Sequence, residues 1–195
     1  MKKRNVIELA VGLLMLVSAL YTYIPEPQYM CELTFLSNMA GAGLFIVDGV
    51  YGIRKHKQLP GVLFLIETVT ISAVFFITVG CTVSGLAHFN FSGGMIFLHV
   101  INPILVMGFY LFAEGERNFK FKEIAAGPIF VMVYLLFDYI RSFFVGSFVY
   151  GLFSIEEMSF LKAVLVGLVT YIIIGILGLL IYSGGRLVKK LSLKD

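Results

Sequence analysis

Six long apolar stretches, separated by short polar connections, follow one another along the 195-residue chain. Each holds about 20 residues, the length that an α-helix needs to cross the hydrocarbon core of a bilayer. A helix also satisfies its own backbone hydrogen bonds where water is absent. The pattern therefore predicts an all-α polytopic membrane protein, a single six-helix transmembrane domain with spans near residues 6–24, 31–53, 61–81, 93–113, 124–145 and 160–183.

The polar connections alternate in charge. Basic residues occupy the N-terminus, the connections after the second and fourth stretches, and the C-terminus, and these four places hold 13 of the 15 Lys and Arg residues. The remaining connections are neutral or acidic. The positive-inside rule then places both termini in the cytoplasm, which agrees with an even number of spans. Topology and adhesion to lipid explain the net charge of +3, so we predict no nucleic-acid partner.

Composition agrees with this class, because 59% of the residues are hydrophobic and only 14% are charged. A soluble domain with so few polar groups could not cover its apolar surface. We therefore expect a multi-pass protein of the cell membrane, in contact with membrane lipids.

One face of the second span is polar and small. By helical spacing, this face carries Thr34, Ser37, Asn38, Gly41, Phe45 and Asp48. Taken alone, the stripe favours packing between membrane helices, and the Thr34 hydroxyl could bond back to the carbonyl of Met30. The stripe by itself therefore does not indicate chemistry.

The fourth span places an ionisable residue at a similar depth. His99 lies about 9 Å along the helix axis from the predicted outer boundary, and Thr34 about 6 Å. Ionisable residues inside membranes usually face the bundle interior and mark functional sites. Asn102 and Pro103 follow one turn below, and the proline frees a carbonyl near Leu98 or His99 that needs another donor. A lone histidine could equally be a hydrogen-bonded structural residue.

Acidic and basic groups also occur in other spans. Asp138 and Arg141 are three residues apart in the fifth span, where they could pair with each other, or Arg141 could hold an anionic group together with Lys162. Glu67 and Asp48 fall in the predicted cytoplasmic half. They are interpreted as buried partners of neighbouring groups, with an ion or proton pathway as the alternative.

Three stretches together resemble a known family: LTFLSN at 33–38, HVINP at 99–103 and YLLFDYIRSFFVGSFVYGLF at 134–153. The chain resembles the androgen-induced protein and the androgen-dependent tissue-factor-pathway-inhibitor-regulating protein, with their bacterial relatives. The resemblance implies a six-span hydrolase of fatty acid esters of hydroxy fatty acids in a bacterial plasma membrane. It also implies that Thr34 is the catalytic nucleophile and His99 its base.

That chemistry suits these residue types, because a histidine within hydrogen-bond reach can remove the proton of a threonine hydroxyl. Polar groups near the reacting carbonyl would bind the substrate, a lipid or fatty acyl ester, and we assign this role to Ser37, Asn38, Asn102, Asp138 and Arg141. Several of them could stabilise the oxyanion, and the sequence does not choose among them. No metal-binding or nucleotide-binding motif appears, so no cofactor is expected.

Two alternatives remain open from the residues alone. A small transporter or channel could line a path with the polar face of the second span, Glu67, Asp48 and Asp138. A scaffold without turnover would use the same groups only as contacts between helices. Cys31 and Cys81 are expected to be two free thiols, although their predicted positions at the outer ends of their spans would allow a disulfide.

Overall fold

The computed structural model describes residues 2–85, 88–114, 121–151, 156 and 158–192. Helices account for nearly all of this part of the chain, and no β-strand occurs within it. The main helices are α1 (Lys2–Tyr23), α2 (Leu33–Lys55), α3 (Gly61–Ser84), α4 (Asn102–Phe109), α5 (Ile129–Val145) and α6 (Phe160–Ser192). Short 3₁₀ turns lie at Pro27–Tyr29 and Phe121–Ala126. The prediction of an all-α protein is confirmed.

In the part of the chain that the structure describes, five helical segments are long and apolar enough to cross a membrane. They are Lys3–Tyr23, Leu33–Lys55, Gly61–Ser84, Phe121–Val145 and Phe160–Leu191. They match five of the six predicted spans, mostly to within a few residues. The last differs most, since α6 continues to Ser192 without a break at Gly184 and Gly185. At about 1.5 Å per residue, α6 is about 50 Å long and exceeds the hydrocarbon core of about 30 Å.

The fourth predicted span has a different form. Its apolar helix, Phe97–Ala113, is shorter than the other five. Two π-helical turns, Phe97–Ile101 and Tyr110–Glu114, flank α4, and helical backbone runs continuously from Met95 to Glu114. Pro103 explains the first π turn, because a proline cannot donate to the carbonyl four residues earlier. Six spans and cytoplasmic termini therefore remain predictions, whereas a multi-pass membrane protein is what the helices indicate.

Helices α1 and α2 form the most extensive helix pair, an antiparallel hairpin. Glycines bring the two backbones together. A Cβ atom built on Gly12 would lie 2.9 Å from the backbone nitrogen of Ile46 and 3.0 Å from the carbonyl oxygen of Ala42. Near the far end of the hairpin, a Cβ on Gly49 would lie 2.9 Å from the carbonyl oxygen of Asn5. Small residues of this kind allow membrane helices to pack through their backbones.

Helix α3 lies at the centre of the bundle and α6 at its edge. The most apolar window of α3 is 61% buried inside the protein, whereas that of α6 is 11% buried. We call the helical stretch Met95–Glu114 the fourth segment. The largest core cluster joins α3 to α1, α2, α5, α6 and this segment, and includes Met15, Phe45, Leu65 and Tyr110. The broad apolar surface of α6, with Leu161, Leu165, Leu168, Ile172 and Ile176 exposed, suits contact with lipid rather than water.

Asp48 and Glu67 are both buried, as expected, but the expected neighbouring partner is seen only for Asp48 among the described residues. The Asp48 carboxylate accepts a hydrogen bond of 2.5 Å from the backbone N–H of Leu59, and so ties the end of α2 to the start of α3. Glu8 is also completely buried and pairs with Arg4 at 2.9 Å. Arg4, Glu8 and Asp48 lie at the end of the bundle opposite Thr34, whereas Oε1 of Glu67 reaches the middle of α2, beside Gly41.

The close approach at Gly12 makes a prediction about stability. Gly12→Ala should destabilise the bundle by about 1–3 kcal/mol, because the added methyl group meets two backbone atoms of α2 as well as the Ile46 side chain. Gly43→Ala is the matched control, since a Cβ there has no atom within 4 Å and alanine favours helix. Thermal unfolding in detergent should show a lower Tm for the first variant only. Equal Tm values would contradict the proposed backbone contact.

Candidate active site

Thr34 lies in the first turn of α2, at the end of the bundle where α1 finishes. The polar face predicted for this helix is buried over its whole length, comprising Thr34, Ser37, Asn38, Gly41, Phe45 and Asp48. Thr34 itself is 3% exposed. Its carbonyl oxygen accepts from the Ser37 hydroxyl at 3.2 Å and from the Asn38 amide at 2.8 Å, which fixes the first turn of the helix. The sequence allowed the Thr34 hydroxyl to bond to the carbonyl of Met30. In the structure this hydroxyl faces His99 instead.

His99 reaches Thr34 from the π-helical turn Phe97–Ile101. The Oγ1 atom of Thr34 lies 3.4 Å from Nε2 of His99, and the imidazole is 6% exposed. A π turn widens the helix locally and is frequent at functional sites. A nucleophile and its base usually lie about 2.6–3.2 Å apart, and the distance is often longer in the absence of substrate. The separation of 3.4 Å agrees with this. The sequence placed these two side chains at a similar depth, and the structure brings them together.

The other nitrogen of His99 is held by the connection between α3 and the fourth segment. Nδ1 lies 3.2 Å from the carbonyl oxygen of Asn90. Because a carbonyl only accepts hydrogen bonds, Nδ1 carries the proton, and Nε2 of the neutral ring presents its lone pair to Thr34. The rings of Phe89 and Phe91 meet the imidazole edge-on at 6.0 and 5.8 Å. The backbone of Asn90 thus orients the base.

Two asparagines tie the site to three helical segments. The Asn102 amide donates to Oδ1 of Asn38 at 2.8 Å and to the hydroxyl of Ser18 at 3.0 Å. These bonds connect the fourth segment to α2 and α1. Asn38 also donates, at 3.5 Å, to the carbonyl of Leu98, one of the two candidates for the carbonyl left without a partner by Pro103. Asn38 and Asn102 are fully buried, so this polar layer fixes the position of the helix that carries His99.

Asp138 and Arg141 hold the connection after α5. Oδ1 of Asp138 accepts from the backbone N–H of Val149 at 3.0 Å, and Nη1 of Arg141 donates to the carbonyl of Ser147 at 3.2 Å. The two side chains lie 3.9 Å apart, so they also pair as the sequence allowed. Gly146 and Gly151 bound this connection with φ angles of 80° and 62°, conformations that suit glycine. We call residues 146–151 the α5 loop.

The α5 loop carries a tyrosine to Thr34. The Tyr150 hydroxyl lies beside the Thr34 side chain and faces the backbone N–H groups of Leu33 and Thr34. The residue as a whole is 37% exposed, but its hydroxyl end is enclosed. Burial of this hydroxyl raises the pKa of Tyr150 to about 12, although the contacts with Thr34 act in the opposite direction. Tyr150 therefore stays protonated at physiological pH and remains a hydrogen-bond donor.

A second tyrosine lies beside the first. The rings of Tyr134 and Tyr150 have centroids 6.4 Å apart, and Tyr134 is 5% exposed. The Tyr134 hydroxyl faces the backbone N–H of Leu33. Among the described residues, however, it makes no hydrogen bond of ordinary geometry. A buried hydroxyl without a partner is unfavourable, so this end of α2 has hydrogen-bonding capacity that the protein does not use.

The predicted site residues thus fall into three groups. Thr34 and His99 face each other. Ser37, Asn38 and Asn102 support them with bonds made inside the protein, and Asp138 and Arg141 fix the α5 loop. Substrate binding by these five residues stays a prediction. The sequence did not single out the Asn90 carbonyl, Tyr134 or Tyr150, because backbone groups and loop contacts over long separations leave no local pattern.

Other candidate chemistry is less developed. The described residues contain no group of three or more His, Cys, Asp or Glu side chains placed to hold a metal ion. Cys31 and Cys81 are both free thiols in the structure.

No family model, curated protein or solved structure shows significant similarity to the chain. Function is therefore inferred from the geometry around Thr34 and His99.

The asparagine layer makes a prediction. Asn102→Ala should destabilise the protein by about 1–3 kcal/mol, because Asn38 Oδ1 loses its donor in a buried place. The double variant with Asn38→Ala should cost less than the sum of the two single variants, since both partners are then absent. Unfolding of the four proteins in the same detergent measures this coupling. Strict additivity would contradict an energetic link between the two side chains.

Proposed function

We propose that the protein is a membrane-embedded hydrolase of lipid esters, with Thr34 as nucleophile and His99 as general base. The observation that carries this proposal is the distance of 3.4 Å between Thr34 Oγ1 and His99 Nε2, combined with the bond from His99 Nδ1 to Asn90. Together they form a nucleophile, a base and a group that orients the base, which is the general arrangement of covalent hydrolysis. The family resemblance of LTFLSN and HVINP agrees with these roles.

The first half of the reaction acylates the protein. The Thr34 oxygen attacks the ester carbonyl carbon while Nε2 of His99 takes the hydroxyl proton. The tetrahedral intermediate then collapses, the bond to the alcohol oxygen breaks, and the imidazolium gives its proton to that oxygen. An alcohol leaves, and the acyl group remains on Thr34 as an ester.

Water completes the cycle. His99 removes a proton from a water molecule, the hydroxide oxygen bonds to the acyl carbon, and the bond to Thr34 breaks. The proton returns to the threonine oxygen, and a carboxylic acid leaves. The fixed protonation of Nδ1 keeps Nε2 available as the base in both halves, because the Asn90 carbonyl accepts only from a protonated nitrogen.

The surroundings of Thr34 and His99, which we call the dyad, favour a lipid substrate. Thr34 and His99 are nearly inaccessible, and apolar side chains of neighbouring helices and the rings of Phe89 and Phe91 enclose them. A substrate of two fatty chains joined by an ester suits a polar centre within apolar walls. We place the site in the outer half of a bacterial plasma membrane, in a bundle of six spans with both termini in the cytoplasm and Met95–Glu114 as the fourth crossing. Substrate binding then requires side chains above Thr34 to move.

A small transporter remains the second candidate because of Glu67. Its carboxyl group is 4% exposed, and its Oε1 atom makes no hydrogen bond among the described residues. Such a group within a membrane bundle is a candidate for carrying a proton or ion. The ester hydrolase is the better-supported proposal, since it uses two groups that already contact each other.

The dyad predicts a specific pattern of covalent labelling. A fluorophosphonate with an alkyl chain should label the protein on Thr34, and both Thr34→Ala and His99→Ala should lose at least about 99% of the labelling rate and of the hydrolysis of a palmitate ester of hydroxystearate. Thr34→Ser should keep part of both activities, because it preserves the hydroxyl. Gel fluorescence, peptide mass spectrometry and fatty acid release measure the result.

Thr78→Ala is the matched control for these variants. Thr78 is also 3% exposed, but among the described residues its hydroxyl bonds only to carbonyls of its own helix, so labelling should not change. Labelling of Thr34→Ala equal to that of the unmodified protein would refute the nucleophile. Absence of labelling and of ester hydrolysis in the folded protein would refute the hydrolase.

A further inference from the structure

The first turn of α2 presents backbone donors beside the proposed nucleophile. Its N-cap residue, Glu32, makes no side-chain hydrogen bond to this turn. The first bond that returns along the helix runs from the N–H of Leu36 to the carbonyl of Glu32, at 3.0 Å. The N–H groups of Leu33 and Thr34 precede it and have no acceptor within the helix. They point along the helix axis, where the helix dipole favours negative charge.

An oxygen atom already occupies the position in front of these donors. The Tyr150 hydroxyl oxygen faces both N–H groups and lies beside the Thr34 side chain, and the Tyr150 ring packs against that of Tyr134 with centroids 6.4 Å apart. The oxyanion of a tetrahedral intermediate on Thr34 would need the same surroundings, since it is separated from the attacking oxygen only by the former carbonyl carbon. Tyr150 thus marks a place where an oxygen atom fits next to the nucleophile.

A second and independent observation indicates a ligand at this place. The Tyr134 hydroxyl is buried, faces Leu33 and makes no ordinary hydrogen bond among the described residues. A substrate oxygen bound between the two tyrosines and the start of α2 would use donor capacity that is otherwise left unused. The sequence offered several polar side chains as donors to the oxyanion. Asn38, Asn102 and Arg141 are among them, and each already donates a hydrogen bond to another part of the protein.

We propose that the backbone N–H groups of Leu33 and Thr34, together with the hydroxyl of Tyr150, form the oxyanion hole of this protein. The inference rests on the proposed hydrolase function. As the Thr34 oxygen bonds to the ester carbon, the carbonyl double bond becomes a single bond and its electron pair moves to the oxygen. The Tyr150 hydroxyl moves aside from the two N–H groups and donates its hydrogen bond to that oxygen, without transferring its proton.

The position of Tyr150 depends on residues that the dyad does not use. Asp138 and Arg141 bond to Val149 and Ser147, so they hold the α5 loop against the start of α2. They are positioning residues in this account and touch neither the nucleophile nor the base. This role explains charged side chains at the end of α5 without requiring them to bind a substrate.

Tyr150→Phe tests the proposal, because it removes the hydroxyl and keeps the ring. We expect kcat for ester hydrolysis and the rate of fluorophosphonate labelling to fall about a hundredfold, the typical effect of losing one oxyanion donor, with KM changed much less. Tyr21→Phe is the control, since Tyr21 is 72% exposed on α1. Labelling of Tyr150→Phe at the unmodified rate would overturn the proposal. A faster rate would also overturn it, because Tyr150 would then only block the site.

The same measurements separate this inference from the hydrolase itself. Labelling of the unmodified protein at Thr34, combined with an unchanged Tyr150→Phe variant, refutes only the role of Tyr150. Absence of any labelling at Thr34 refutes the hydrolase.

A second measurement covers the case in which Tyr150→Phe fails to fold. A fluorinated tyrosine placed at position 150 keeps the size and hydrogen bond of the side chain but ionises at lower pH, while the titratable groups that face it, Glu32 at the start of α2 and Tyr134 on α5, stay unchanged. Activity should then be lost at a lower alkaline pH than in the unmodified protein, because a phenolate cannot donate to an oxyanion. Loss of activity at the same alkaline pH as in the unmodified protein would overturn the donor role of Tyr150.

Discussion

The structure depends on one constraint: a polar group inside an apolar bundle must find its hydrogen-bond partners within the protein. Asn38, Asn102 and Ser18 meet much of this constraint together, because their bonds connect α2, the fourth segment and α1; Oδ1 of Asn102 makes no hydrogen bond among the described residues. In lipid no water competes for these groups, and an unmatched partner is unfavourable. The layer therefore fixes how the helix bearing His99 lies against the helix bearing Thr34. The contact between Thr34 and His99 follows from this arrangement.

Proline supplies the second part of that geometry. Pro103 cannot donate a backbone hydrogen bond, and the preceding turn widens into the π form that carries His99. Asn38 donates to the Leu98 carbonyl in this turn, and the same Asn38 amide binds the carbonyl of Thr34. One side chain thus connects the irregular turn that carries His99 to the first turn of α2, which carries Thr34. An ordinary helix through residues 97–101 would present the imidazole in another direction.

Much of this arrangement follows from the sequence, and the reason is periodicity. The apolar stretches predicted five of the long helices closely, and helical spacing correctly predicted the buried face of α2. Depth along the helix axis placed Thr34 and His99 at one level. Periodicity carries no information on contacts between distant connections, so the carbonyl of Asn90 and the hydroxyl of Tyr150 could not be predicted. The extension of α6 through Gly184 and Gly185 also escaped prediction, because both residues continue the helix in spite of their low propensity.

The two ends of the bundle use charged groups in different ways, and this difference bears on function. At the far end, Arg4 neutralises Glu8 and Asp48 caps a connection, so the charges there have structural partners. At the end with Thr34, the charged pair Asp138 and Arg141 holds a loop, and the Glu32 carboxyl accepts a hydrogen bond from the Tyr23 hydroxyl at 2.6 Å, while the side chains that face the Thr34 hydroxyl are neutral donors and acceptors. Neutral groups around a hydroxyl and an imidazole allow negative charge to develop during a reaction without a permanent buried ion. That distribution suits the acyl transfer proposed for Thr34 and His99, in which charge develops only during the reaction.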